Sequence, residues 1–354
     1  MITVSAVIVT YNGGEKVLRC IEATKAQSRP FDEVIVVDNA SQDDSPRLIR
    51  AAHPDVRLIE MPDNRGPSVS RNAGLAASGC DFVFWIDNDL YPESTCLARL
   101  LDALAADPVA VVLPRIILVP DTHIVQADGG AAHFIGTLTL RHGFTPLAQI
   151  ADHRPVRVRA FPSGCVLMER KAALAVGGFD ESYFFYFEDF EFSFRSSIFG
   201  IKMVSDPAAI VYHDLGAGKS GLAFRGSGPY PRQRAYLLSR NRLRTVLTHF
   251  SLRTLIVLAP ALLIYEFVGL GLAVMRGWTG AWWESWAWIV AHRAEIRERR
   301  RWVQARRRTP DREILSGGPL PLAPGLLNSQ LLRWVAAAIS GTLNAYWYLA
   351  KRLI

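Results

Sequence analysis

Several stretches of this chain hold reactive side chains at spacings that could do chemistry together. Asp87-Asn88-Asp89 follows the very apolar run Phe82–Ile86. Two carboxylates one residue apart at a strand end can hold a divalent cation together with a ribose or phosphate oxygen, and such hard oxygen ligands suit Mg2+ or Mn2+. A plain surface turn carries the same residues. Phe184-Phe185-Tyr186-Phe187 runs into Glu188-Asp189. An acid set beside aromatic surface suits a general base whose pKa rises with desolvation; two acids also favour a helix N-terminus through its dipole. His213 closes the strand-like run Ala208–Tyr212, as a ligand or as a structural histidine. Asp63-Asn64-Arg65-Gly66 leads to Ser70-Arg71-Asn72-Ala73-Gly74, a polar loop entering a helix. Such a start accepts a nucleotide diphosphate or only caps the loop.

The elements around these residues must bring them together. Apolar runs at Val4–Val9, Glu33–Asp38, Val56–Glu60 and Phe82–Ile86 predict strands, and Gly14–Gln27, Ser45–Ala52 and Ser68–Ala77 have helical spacing between them. That alternation implies a parallel sheet with helices on both faces, and ligands then bind beyond the carboxyl ends of the strands. Thr10-Tyr11-Asn12, Asp38-Asn39 and Asp87-Asn88-Asp89 all fall there. Residues 107–170 are more strand-like, and Lys171–Gly200 predicts a second helix–loop–helix zone.

The back of the chain has a different character. Residues 1–232 carry 22 Lys/Arg against 27 Asp/Glu, whereas residues 233–354 carry 18 against 6. Leu252–Met275 is apolar apart from Arg253 and Glu266, a tryptophan cluster lies at 278–288, and His292–Arg308 holds eight arginines. A membrane surface with anionic lipids accounts for charge and apolarity together. Leu252–Met275 is long enough to span a bilayer, while Pro260 and Glu266 count against a simple span. Pro319–Pro324 predicts a linker and Leu331–Ile354 a further apolar helix. Nucleic acid is not the expected partner, because no recognition signature accompanies the arginines. Four cysteines without CxxC spacing suit reduced thiols. A start without a basic, cleavable leader suits a cytoplasmic catalytic part.

The ordered set VSAVIVTYN (4–12), VIVVDNASQD (34–43), DNRGPSVSRNAG (63–74), DFVFWIDND (81–89), SGCVLMERKAALAVGGFDESYFFYFEDFEFSFR (163–195) and the strand ending in His213 resembles the family 2 glycosyltransferases of GT-A fold. The match is nearest to the rhamnosyltransferase-like branch. It implies an α/β GT-A fold, with a Rossmann-like nucleotide-binding half and an acceptor-binding half, followed by a helical membrane-associated region. The expected boundaries are 1–230 for the glycosyltransferase domain (1–115 nucleotide-sugar half, 116–230 acceptor half) and 231–354 for the remainder.

By the same resemblance Thr10, Asn12 and Asp38 would hold the nucleoside, with Asp38 reading the base. Asn64, Gly66 and Arg71 would line the nucleotide pocket, with Asn88 beside them. Asp87 would touch the ribose or the metal, Asp89 and His213 would bind Mg2+ or Mn2+, and Asp189 would be the base with Glu188 as its neighbour. No QxxRW motif follows, which disfavours a processive synthase. The implied activity is inverting transfer from a nucleotide-sugar, such as dTDP-rhamnose or a UDP-sugar, to a lipid-linked saccharide at the cytoplasmic membrane face. A polyprenyl-phosphate transferase and a catalytically inactive nucleotide-sugar-binding scaffold are the alternatives.

Overall fold

A computed structural model describes residues 2–162, 164–214, 232–321 and 329–354. Packing divides the chain into two units, Met1–Gly130 with Leu140–Ser196 and Ile201–Leu215, and Ala131–Thr139 with Ser197–Gly200 and Gly216–Ile354. The expected boundary at 230/231, Ser163 of the matching motif and part of the linker 319–324 lie outside the described residues.

The first unit begins β1 (Val4–Thr10), α1 (Glu15–Lys25), β2 (Glu33–Asp38), α2 (Ser45–Ala52), β3 (Arg57–Glu60), α3 (Pro67–Ala77) and β4 (Phe82–Asp87). This is the expected strand–helix alternation. β4, β1, β2 and β3 lie side by side and all parallel. Buried on both faces, β1 has no exposed position in seven residues, as a central parallel strand requires. At Gly74 of α3 an added Cβ would stand 2.2 Å from Val7 Cγ1, so glycine lets the helix close onto the sheet.

β5 (Leu90–Pro92), α4 (Cys96–Ala106), β6 (Val111–Val119), β7 (Ile124–Ala127), β8 (Gly130–His133), β9 (Thr137–Leu140), β10 (Thr145–Pro146), β11 (Val156–Val158), β12 (Cys165–Glu169), α5 (Arg170–Ala175), α6 (Glu188–Ile198) and β13 (Met203–Asp214) follow. β12 joins the sheet antiparallel to β4 and leads to β6, which runs parallel to β13. The core of this unit gathers Val4, Ile8, Phe84, Ile86, Leu100, Leu167 and their neighbours, all buried.

In the second unit α7 (Arg232–His249), α8 (Leu252–Arg276), α9 (Thr279–Ala291), α10 (Arg293–Ala305), α11 (Asp311–Ile314), β14 (Leu315–Ser316) and α12 (Gln330–Ala350) follow in order. β14 runs parallel to β8 in a small separate sheet. The C-terminal carbonyls of α7, orphaned as at every helix end, are taken up by α10. Arg300 Nη1 donates to Leu247 O and Phe250 O, both at 2.7 Å, and Gln304 Nε2 donates to Thr248 O and His249 O. Part of the arginine run is therefore a structural cap.

Candidate active site

Asn88 and Asp89 form the short connection between β4 and β5. β5 pairs antiparallel with β13 so that Leu90 faces His213, and Asp214 N donates to Asp89 O at 2.8 Å. Residues 124 positions apart thus become neighbours: His213 Nε2 stands 3.3 Å from Asp89 Oδ2. The other ring nitrogen, Nδ1, donates to Gln126 Oε1 at 2.5 Å. Ile116 pairs with Ala127 and Ile117 with Val125, which leaves Gln126 as the extra residue of a bulge in β7; bulges re-aim side chains in this way. The hydrogen bond to Gln126 makes Nδ1 the donor, which leaves Nε2 to carry a proton towards Asp89 or to take a metal. When Nε2 carries no proton, two acceptor atoms face each other, an arrangement that is favourable only with a proton or a cation between them. Burial pushes the Asp89 carboxyl up, but the hydrogen bond and charge of His213, with Lys16 adding to them, hold it below its ordinary value.

Asp87 faces the other way. Its Oδ1 accepts from Arg71 Nη2 at 2.8 Å, and Arg71 Nη1 donates to Glu188 Oε1 at 3.3 Å. Arg71, on α3, is only 3% exposed and lies over the Phe179 ring at 5.3 Å. Burial opposes its charge, but Asp87 and Glu188 outweigh burial and hold the guanidinium firmly protonated. Burial, then the charge of Asp89, raises the Asp87 carboxyl against the pull of Arg71. Glu188 is buried, and burial together with Asp189 pushes it from the ordinary 4.5 to about 7, with Arg71 opposing. Its Oε2 has no hydrogen-bond partner among the described residues.

Asp189 is the more accessible acid, half-buried in the first turn of α6, and accepts from Phe190 N at 2.6 Å. The loop before it is strained. Phe184, Tyr186 and Phe187 have φ of 60°, 63° and 69°, where bulky residues cost about 1–3 kcal/mol each. Such strain concentrates at sites where surrounding structure dictates the geometry. Gly66, with φ 88°, sits so close that a Cβ would stand 2.0 Å from Phe184 O; only glycine permits this approach of the α3 start to the aromatic loop.

The remaining predicted residues form a hydrogen-bonded rim beyond the strand ends. Thr10 Oγ1 accepts from Asn88 Nδ2 at 2.9 Å. Asn12 Oδ1 accepts from Gln42 N and Asn12 N donates to Ser41 Oγ, both at 2.8 Å. Ser41 N in turn donates to Asp38 Oδ2 at 2.9 Å. Asn64 Oδ1 accepts from Asn39 Nδ2 at 2.9 Å and from Gly66 N at 3.1 Å. Asn12 and Asn64 thus hold loop backbone as well as lining the rim. Asp38 Oδ1 and Asn39 Oδ1 are buried without partners among the described residues.

Among the described residues no three His, Cys, Asp or Glu side chains stand together as a metal cluster. Asp89 and His213 form a pair, and Asp87 is engaged by Arg71. That donor set fits a divalent cation completed by substrate, since Mg2+ takes one or two carboxylates plus phosphate oxygens more often than an all-protein cage. The residues that sequence reading passed over are Gln126, which nothing in an alternating strand pattern singles out, and Asn39, noticed in the polar cluster but given no role.

The α/β sheet, with its polar residues collected at strand ends, has the GT-A glycosyltransferase fold by its likeness to solved structures. The structure is similar to the mannosyltransferase PcManGT from Pyrobaculum calidifontis, solved in complex with GDP-Man and Mn2+, with a TM-score of 0.52 and 18% identity over 99% of this chain and 86% of that one. Residues 5–163 match the family model "Glycosyl transferase family 2". A pre-mycofactocin glycosyltransferase of Mycobacterium tuberculosis is 33% identical over 51% of this chain and 37% of its own length. An N-acetylglucosaminyl-diphospho-decaprenol L-rhamnosyltransferase of the same species is 29% identical over 58% of this chain and 74% of its own. The chain therefore spans little more than a third of the first of these relatives.

Proposed function

We propose that this protein is an inverting, metal-dependent glycosyltransferase. In this reading it moves a sugar from a nucleotide-sugar, dTDP-rhamnose or a UDP-sugar, onto a hydroxyl of a lipid-linked saccharide at the cytoplasmic face of the cell membrane, in cell-envelope polysaccharide synthesis. The carrying observation is the facing pair Asp89 Oδ2 and His213 Nε2 at 3.3 Å, set beside the Asp87–Arg71–Glu188 chain that ends at Asp189. The decaprenol-linked acceptor in the name of the rhamnosyltransferase relative supports the acceptor class.

Residues 1–115 would then hold the donor and 116–230 the acceptor. Asp38, with its unpartnered buried oxygen, accepts a hydrogen bond from the base. Thr10 and Asn12 hold the nucleoside with it, Asn64 and Gly66 shape the pocket edge, and Asn88 locks the Asp87–Asp89 turn onto Thr10. Arg71 keeps Asp87 and Glu188 in place. A cation held by Asp89 and His213, with Asp87 alongside and donor phosphate oxygens completing the shell, would neutralise charge on the departing nucleoside diphosphate. Asp189 takes the proton from the acceptor hydroxyl as that oxygen bonds to the anomeric carbon. The bond from the anomeric carbon to the diphosphate oxygen breaks in the same displacement, so the sugar inverts. Glu188, held partly protonated by burial, keeps a second full negative charge from accumulating next to the base.

The test is transfer from a panel of nucleotide-sugars, with and without Mn2+ or Mg2+, in wild type and Asp189→Asn. Loss of the general base predicts a fall of roughly 10²–10⁴-fold with nucleotide binding kept. Equal turnover in the mutant, or turnover indifferent to chelation of metal, contradicts the reading.

A further inference from the structure

α8 is the one described helix long and apolar enough to cross a bilayer, and its two sides differ. Leu252, Ile256, Leu263, Phe267 and Val274 are all exposed, between 56% and 70%. Their spacing of four, seven, four and seven residues traces one stripe along the whole helix. The opposite side is held by protein. Thr254, Leu258, Ala261 and Ala273 are buried there, Tyr346 Oη of α12 donates to Val257 O, and Glu266 pairs with Arg242 of α7.

That ion pair decides the orientation. Glu266 lies in the middle part of the 25-residue helix, so a perpendicular crossing would carry it towards the bilayer centre. Arg242 would have to follow, and with it α7, whose arginines 232, 234, 240, 242 and 244 make it the wrong helix for hydrocarbon. Charged groups at that depth cost several kcal/mol each. Lying flat, α8 keeps Glu266 and α7 on the protein side and gives only the apolar stripe to lipid. The same unit supplies the groups that favour an anionic surface: Trp283 is 61% exposed, and Arg293, Arg297, Arg301, Arg306 and Arg308 remain exposed after Arg300 and Arg307 are used inside the fold.

We infer that α8 lies in the plane of an anionic lipid surface, its Leu252–Val274 stripe sunk to the headgroup–acyl boundary and the exposed arginines of 293–308 pairing with lipid phosphates. This rests on the membrane association proposed above and specifies its geometry. Interfacial helices sink about 5–10 Å, and an arginine near an anionic surface is worth about fivefold in binding.

The full chain, in a Cys80→Ser background, is labelled with a nitroxide at Ile256→Cys, Phe267→Cys or Val274→Cys and mixed with phosphatidylcholine vesicles with and without phosphatidylglycerol. Circular dichroism confirms the fold of each variant. The expected result is flotation that requires phosphatidylglycerol, equal shallow depths for all three labels from collisional EPR, and about fivefold weaker binding in Arg301→Gln. A depth gradient with Phe267→Cys near the midplane overturns the in-plane arrangement while leaving membrane association standing. Absence of vesicle binding overturns both. A second copy of the chain covering the stripe in solution, seen as short label-to-label distances without vesicles, overturns the lipid assignment.

Discussion

The two carboxylates of Asp87-Asn88-Asp89 are separated by one residue and live in opposite surroundings. On one side Asp87 meets the buried Arg71, which also grips Glu188, and its carboxyl is raised. On the other, Asp89 faces His213, which is backed by Gln126, and its carboxyl is lowered. The difference separates two jobs that the motif alone leaves merged. The Arg71 side already has its cation, a guanidinium built into the fold, and it joins the end of β4 to the first turn of α6. The His213 side has no buried guanidinium; its Nε2 faces Asp89 with either a proton or a metal between them, and it is where an external cation belongs. A single short turn thus couples the frame of the site to its exchangeable charge.

The strongest way to break the comparison is to remove the built-in cation. Arg71→Met leaves the buried Glu188 and the half-buried Asp87 without it, and losing one partner of a buried pair such as Arg71–Glu188 costs about 3–5 kcal/mol. Thermal unfolding should show a large drop in Tm at neutral pH; an unchanged Tm would mean that Arg71 does not join the two elements. Removing the support on the other side should be milder. Gln126→Leu frees the His213 ring, and losing such a second partner typically costs 10–100-fold in metal affinity. Mn2+ titration in the presence of UDP should register that loss with Tm nearly unchanged, whereas a lower Tm with unchanged affinity would make Gln126 purely structural.

The smallest effect sharpens the comparison through pH. Glu188 is raised from 4.5 to about 7 in the folded state, so between those values the folded chain holds a proton that the unfolded chain has released. Its contribution to stability is therefore present below about pH 4.5 and lost as pH rises through about 7. Glu188→Gln should flatten this part of the Tm–pH curve. A curve of identical slope in mutant and wild type would place the titration elsewhere.

Much of the fold was legible because the controlling interactions are local or periodic. Ser45–Ala52 has the bounds that its spacing predicts, and the four parallel strands fall within a residue of their apolar runs. The ordered motifs carried the resemblance that the match over residues 5–163 supports. What stayed hidden depends on long-range pairing. That Arg71 would join Asp87 to Glu188, residues 16 and 117 positions away, follows from helix packing on the sheet, not from any local pattern. Gln126 reaches His213 only because β7 bulges beside β6, and a bulge leaves no mark in hydrophobic alternation. The run of eight arginines reads from sequence only as charge suited to a membrane surface, but Arg300 and Arg307 turn inward to cap α7 and to meet Asp311. Composition gives charge without direction.

The most direct measurement is Mn2+ binding by EPR in the presence and absence of UDP, comparing wild type with Asp89→Asn and Glu188→Gln. The account predicts tight binding only when the diphosphate is present, its loss in Asp89→Asn, and its retention in Glu188→Gln. Equal Mn2+ binding by Asp89→Asn and wild type would contradict the assignment of the exchangeable charge to the Asp89–His213 side.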